Sequence, residues 1–275
     1  MKTFENFFIF RSKGLMKKVV VISGASSGIG FETANFLAER GYVVYGLSRR
    51  DFETEKFNFI KCDVCNQEEV KRVFESIFQK EGQIDVLINN AGMGISGAIE
   101  YAPKKDVEAI FDVNVNAVIN VSGEALKYLR KTQGRIINVS SVASVVPIPF
   151  QACYSATKAA VESFSFALSN EVKPQKVKVC CVRPGDTKTG FTAARVKNAV
   201  TDDAYGDRIE KSVAKMEKDE MKGKDPVSVS KVIYKCMKKR NPPLVCTVGF
   251  GYKFLCVLAK LLPQKLVNYI VYKLY

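Results

Sequence analysis

Four consecutive β-branched residues, Val19-Val20-Val21-Ile22, run directly into a turn carrying Gly24, Gly28 and Gly30. A strand that is apolar at every position, rather than at alternate ones, must be covered on both faces. Beyond the glycines, Phe31, Ala34, Leu37 and Ala38 repeat with helical spacing, and the pattern stops at Gly41. The same unit then recurs. Apolar strand patterns at 42–47, 57–62, 84–89, 135–140, 177–182 and 244–248 alternate with helical patterns at 68–80, 104–130, 151–171 and 227–239. Strands alternating with helices imply right-handed crossovers, hence a doubly wound α/β fold: a parallel sheet of about seven strands with helices on both faces.

A chain of 275 residues fits one such domain better than two. The sheet domain is expected over 16–250. Residues 1–15, before Met16, read as an N-terminal extension or an upstream start. Within the domain, 186–225 is a charged insertion with one expected helix near 207–220, and insertions this long usually serve as lids or binding loops. Residues 251–275 form an apolar, basic helical segment that Pro263 should bend.

Composition removes several kinds of chemistry. The chain has no histidine, so catalytic sets built on imidazole and His-ligated zinc are excluded. Acid–base work must fall to Tyr, Lys, Asp, Glu or Cys. The eight cysteines sit mostly in apolar runs, as buried thiols in a reducing compartment would. Cys62 and Cys65 form a lone CxxC with no second pair, so no metal site is expected. The net charge is +14, and Pro226 to Tyr275 holds nine basic residues and no acid. Such a tail suits an anionic membrane surface, an acidic partner or simply a solvated helix face. No recognised nucleic-acid module accompanies it, so no nucleic acid is expected.

Two constellations carry chemistry. Ser23-Gly24-Ala25-Ser26-Ser27-Gly28-Ile29-Gly30 lies between strand and helix, where glycines let the backbone approach a pyrophosphate and the helix offers unpaired N–H groups. Tyr154 and Lys158 stand four apart in a helical pattern and share a face. A phenol ordinarily titrates near 10. A neighbouring cation should lower it, making this pair the strongest acid–base candidate in a chain without histidine.

Taken with Asn89-Asn90-Ala91-Gly92 and Arg183-Pro184-Gly185, these motifs resemble the classical short-chain dehydrogenase/reductase family, over about 17–248. The glycine spacing, the Asn-Asn-Ala-Gly element, Tyr-x-x-x-Lys and the Pro-Gly segment occur in that family's order, with Ser23 where it usually has Thr. The resemblance implies a Rossmann-type fold and a nicotinamide cofactor. It implies Ser141, 13 residues before the Tyr, as the group that hydrogen-bonds the substrate oxygen, with Ser140 as the fallback. Tyr154 would then exchange the proton, and Lys158 would hold the nicotinamide ribose and lower the Tyr pKa. Asn114 would position a water linking Lys158 to solvent.

The cofactor wall would comprise Gly24, Ser26, Ser27, Gly28, Ile29 and Gly30, with Asp63 and Val64 near the adenine. Asn90, Ala91, Gly92, Pro184, Gly185, Thr187 and Thr189 would meet the remainder. At the end of the second strand, where NAD-dependent members carry Asp, the chain reads Ser48-Arg49-Arg50. An uncharged residue followed by arginines suits a 2′-phosphate, so NADP(H) is expected.

Val146, Ile148 and Phe150 before the Tyr, and Phe191 at the lid, predict walls for a bulky apolar carbonyl or alcohol: a steroid, a retinoid or a lipid-like molecule. The layout also resembles, more loosely, the 17β-hydroxysteroid and retinol dehydrogenase subgroup. The segment 251–275 is either a peripheral membrane helix that draws in such a substrate, or a cap or subunit contact. The resemblance further implies a homodimer or homotetramer, and the default location is cytoplasmic. Two alternatives remain open: an epimerase or dehydratase of the family's extended branch, and a non-catalytic cofactor-sensing scaffold.

Overall fold

The computed structural model describes residues 17–200 and 204–275. The expected extension at 1–15 lies outside the described residues. In chain order the elements are β1 (Val19–Ser23), α1 (Gly28–Ala38), β2 (Val43–Ser48), β3 (Asn58–Lys61), α2 (Gln67–Glu81), β4 (Val86–Asn89) and β5 (Ile95–Ser96). There follow α3 (Lys104–Phe111), α4 (Ala117–Thr132), β6 (Arg135–Val139), α5 (Ala152–Glu171), β7 (Lys178–Arg183), β8 (Val196–Lys197), α6 (Arg208–Met221), α7 (Val227–Lys238), β9 (Val245–Thr247), α8 (Phe250–Leu261) and α9 (Gln264–Leu274).

The main sheet has seven parallel strands in the order β3-β2-β1-β4-β6-β7-β9. The Val-rich run forms its centre and is buried throughout. Val19 and Val21 pack with Phe74 and Ile77 of α2 and with Val121 and Leu129 of α4. Val20 and Ile22 point the opposite way, to Leu37 of α1 and Val229 and Ile233 of α7. The two faces of one strand thus seed two cores, the arrangement that its unbroken apolar pattern requires. Chain order reverses between β1 and β4, which opens a crevice beyond their carboxyl ends.

Two departures from the sequence pattern bear on this crevice. The helix expected over 104–130 is interrupted by a π-turn at Asp112–Asn116. Such a turn inserts a residue and re-aims the side chains inside it; here it buries Asn114 completely. The C-terminal segment breaks at Pro263 rather than bending. Leu262 is held extended before the proline and α9 restarts after it, giving two short helices. No helix among the described residues is long and apolar enough to cross a membrane.

The insertion over 186–225 is fastened at both ends. Thr187 bridges Lys224, and β8 pairs in parallel with β5, just beyond β4.

Candidate active site

The strand ends open onto one continuous cavity of about 770 Å³. Its first wall is laced by the turn after β1. The Ser23 hydroxyl accepts from the N–H groups of Asn90 (3.0 Å) and Ala91 (3.1 Å), the contact a Thr hydroxyl would also supply. In return, the Asn90 amide donates to the carbonyls of Ser23 (3.1 Å) and Gly24 (3.2 Å). Gly24 has φ +68°, and a Cβ there would lie 2.8 Å from Ala91 Cα, so the two loops close only over glycine. Gly30 lies beneath, where a Cβ would strike the Gly24 carbonyl.

Gly24, Ser26, Ser27, Gly28, Ile29, Asn90, Ala91 and Gly92 face the cavity. The amino end of α1 begins at Gly28 with no side-chain cap, which leaves its first N–H groups available to an anion. At the end of β2, buried Ser48 accepts from the Arg50 N–H (3.2 Å). The Arg50 guanidinium spans to the hydroxyls of Ser26 (3.4 Å) and Ser27 (3.3 Å), and Arg49 flanks it. Asp51 is taken up by Lys61 at 2.6 Å. Asp63 and Val64 close this end. Hydroxyls, bare helix N–H groups and two guanidinium groups form a donor set that fits the phosphates of a dinucleotide.

At the other end, α5 presents Tyr154 and Lys158 on one face. The Lys158 ammonium lies 5.7 Å from the centre of the Tyr154 ring and donates to the Val139 carbonyl at 3.0 Å. Burial lowers Lys158 to about 8. Burial raises the Tyr154 phenol to about 12, against a hydrogen bond with Ser141 that pulls it down. Desolvation is the largest influence on this phenol, and the Lys158 ammonium is engaged by a backbone carbonyl. At neutral pH such a phenol keeps its proton.

The two serine candidates separate. Ser140 is buried and donates to the Glu162 carboxylate (2.8 Å) and the Lys158 carbonyl (3.2 Å). Ser141 caps the short turn over Val142–Ser144 and meets the phenol. Asn114 lies behind them. It accepts from the Met93 N–H (2.9 Å) and donates to the Met93 carbonyl (3.0 Å) and to Thr157 (3.1 Å). A Cβ on Gly92 would lie 3.3 Å from the Asn114 oxygen and 3.6 Å from the Lys158 ammonium, so all three converge on that glycine.

Pro184, Gly185, Thr187 and Thr189 line the cavity beyond β7. The Thr187 hydroxyl donates to the Gly185 carbonyl (2.9 Å), and Thr189 accepts from the Phe191 N–H (3.2 Å). Val146, Ile148 and Phe191 form apolar walls, with the Phe191 ring 5.6 Å from that of Tyr154. Phe150 does not join them. Its φ of +59° turns the ring toward Tyr205 and Arg208 of the insertion, away from the cavity.

Three features escaped the sequence reading. The apolar wall extends into α8 and α9 through Leu255, Leu258, Ile270 and Leu274, with Leu262 between them. Glu220, from α6, also faces the cavity. Behind the site, the buried Glu162 receives Arg183 through two bonds (2.9 and 2.5 Å), together with Ser140 and Ser144 (2.6 Å). A signal for Glu162 existed, because it continues the four-residue spacing of Tyr154 and Lys158 along α5.

Comparison with known proteins agrees with this architecture. Residues 18–199 match the sequence description of the short chain dehydrogenase family. The chain is 42% identical to a 3-ketodihydrosphingosine reductase of Bacteroides thetaiotaomicron over 239 residues, covering 86% of this chain and 89% of that one. It is 35% identical to an NADPH-dependent 1-acyldihydroxyacetone phosphate reductase of Saccharomyces cerevisiae over 191 residues, 65% of this chain and 64% of that one. A short-chain dehydrogenase structure from Streptomyces avermitilis superposes with TM-score 0.78 at 26% identity, over 88% of this chain and 91% of that one.

Burial pushes the Glu162 carboxyl up, but the bonds from Arg183, Ser144 and Ser140 outweigh it and hold the group below its ordinary value. A carboxyl depressed on folding stabilises the protein fully above its unfolded pKa, about 4.3, and loses that contribution as pH falls through the folded value. Glu162→Ala should cost about 3–5 kcal/mol at neutral pH by leaving the guanidinium uncompensated. Glu162→Gln should flatten the acid limb of stability, read by urea unfolding across that pH range.

Proposed function

The chain belongs to the short-chain dehydrogenase family of oxidoreductases, and from that premise we propose that it is an NADPH-dependent reductase of a long-chain ketone. The observation that carries the reading is the single cavity running from Arg50 past Tyr154 into the apolar faces of α8 and α9. One end suits a phosphorylated dinucleotide, and the other suits an acyl chain. The bound nicotinamide supplies the hydride. Ser141 holds the carbonyl oxygen, and Tyr154, protonated at neutral pH, donates its proton to that oxygen as charge develops. Lys158, with its value near 8, passes a proton back to the phenol and binds the nicotinamide ribose. Asn114 fixes the backbone at Met93, which keeps the Lys158 side of the cavity in register.

Preference for NADPH rests on Arg49 and Arg50 where a carboxylate would otherwise repel the phosphate, with Asp51 turned to Lys61. A lipid-like substrate is favoured over a steroid or retinoid. The two reductases named above act on long-chain or acyl ketones, and a helical pair walls the far end of the cavity. The outer face of that pair exposes Phe250, Phe254, Val257, Leu261, Tyr269 and Tyr272 beside Lys253, Lys260, Lys265 and Lys273, with no acid among them. This is the composition of a segment resting on an anionic lipid surface. Ile119 of α4 and Phe166 of α5, also exposed, support a homodimer or homotetramer through those helices.

Three measurements test the reading. The protein should oxidise NADPH with long-chain 3-ketones, and Tyr154→Phe should lower kcat by about 10²-fold or more while NADPH binding persists. Undiminished turnover would remove Tyr154 from the chemistry. Arg50→Ala should raise the KM for NADPH by about 10-fold and leave that for NADH nearly unchanged; equal use of both cofactors by the wild type would overturn the preference. In flotation, the protein should rise with vesicles rich in anionic phospholipid and not with neutral ones. Failure to rise with either would leave α8 and α9 as a cap alone.

A further inference from the structure

The charge inside the cavity is divided. Arg49, Arg50 and Asp63 face the nucleotide end and Lys158 stands beside Tyr154, whereas the remaining charged side chains that line the cavity are carboxylates, Asp186 and Glu220. This sits oddly in a chain of net charge +14. Asp186 is occupied by the Tyr252 hydroxyl at 2.5 Å. Glu220 is held from behind: one oxygen takes the Arg195 guanidinium, the other the Thr192 hydroxyl at 2.6 Å. A carboxylate offers about four acceptor positions, so two remain, and 16% of the side chain is still open. Glu220 is also close enough to Tyr154 to act on its phenol. Arg195, which lies against Phe191, acts on the same phenol in the opposite sense, but is not among the residues that line the cavity.

We propose that Glu220 selects an α-amino ketone, receiving the substrate's ammonium when the adjacent carbonyl lies between Ser141 and Tyr154. This rests on the long-chain ketone reductase reading and adds to it the headgroup. A cation there is desolvated against a carboxylate already fixed by two donors, so little ordering is lost on binding. A phosphate headgroup in the same place would meet the Glu220 and Asp186 carboxylates, and Arg195, which pairs with Glu220, is not among the residues that line the cavity. A neutral ketone would leave the spare acceptor positions of Glu220 unused.

The test compares two ketones of equal chain length, short enough to stay monomeric: a 2-amino-3-ketone and its des-amino counterpart. A 1-acyldihydroxyacetone phosphate of similar length is the third arm. With NADPH, the wild type should favour the amino ketone by about 10-fold in kcat/KM. Glu220→Gln should collapse that ratio to near one, and Glu220→Asp should retain part of it. A lid latch with no role in recognition would lower both rates and leave the ratio unchanged, which would overturn the proposal. So would a wild type that treats the two ketones alike, or one that prefers the acyl phosphate. Calorimetry with the corresponding 2-amino-1,3-diol and des-amino diol, in the presence of NADP⁺, separates the two readings. Selective amine binding with no ketone reduced would overturn the reductase reading and sustain Glu220. Reduction of both ketones at equal efficiency would do the reverse.

Discussion

Glu162 carries a charge in the interior, and the catalytic end of the sheet is arranged to satisfy it. Its two oxygens gather Ser140 and Ser144 from beyond β6 and Arg183 from the end of β7, while its own backbone belongs to α5. Three elements that the chain order keeps apart are therefore held at fixed spacing by one carboxylate. Ser141 follows Ser140 directly, and Tyr154 and Lys158 stand two turns and one turn earlier on the same helix. Pro184 and Gly185 follow Arg183. A buried ion pair adds little net stability over an apolar replacement, because desolvation offsets the attraction. Here it supplies orientation, which an apolar contact between the same elements would leave looser.

The parts legible in the sequence are those dictated by local chemistry. Val19 to Ile22 could only be a strand covered twice, and Gly24 marked a turn where another backbone approaches. The four-residue spacing of Tyr154 and Lys158 placed both on one face. What stayed hidden depends on contacts between distant segments. The π-turn around Asn114 leaves no trace in apolar periodicity, since Ile110, Ala117 and Val121 continue the helical pattern around it. Phe150 reads as one more apolar wall until its left-handed backbone turns it to Tyr205. The acidity of Tyr154 was inferred from proximity to a cation. Proximity says nothing about how much water the site excludes, and exclusion is the larger effect here.

The electrostatic layout joins these scales. An excess of lysine and arginine over the whole chain gave no hint that the cavity lining would set three carboxylates, Asp63, Asp186 and Glu220, against Arg49, Arg50 and Lys158. Net charge describes the surface that a partner meets at a distance, and buried charge describes what a ligand meets after water has gone.

Tyr252, at the start of α8, lies flat against Gly185, where even a methyl group would come within 2.3 Å of its ring, while its hydroxyl grips Asp186. The helical pair is thus keyed into the short stretch of backbone, Pro184 to Asp186, that lines the cavity beyond β7. Any tilt of that pair against the body of the molecule turns this joint. For the proposed long-chain ketone, entry of the chain between the helices and alignment of the carbonyl would therefore be two ends of a single lever.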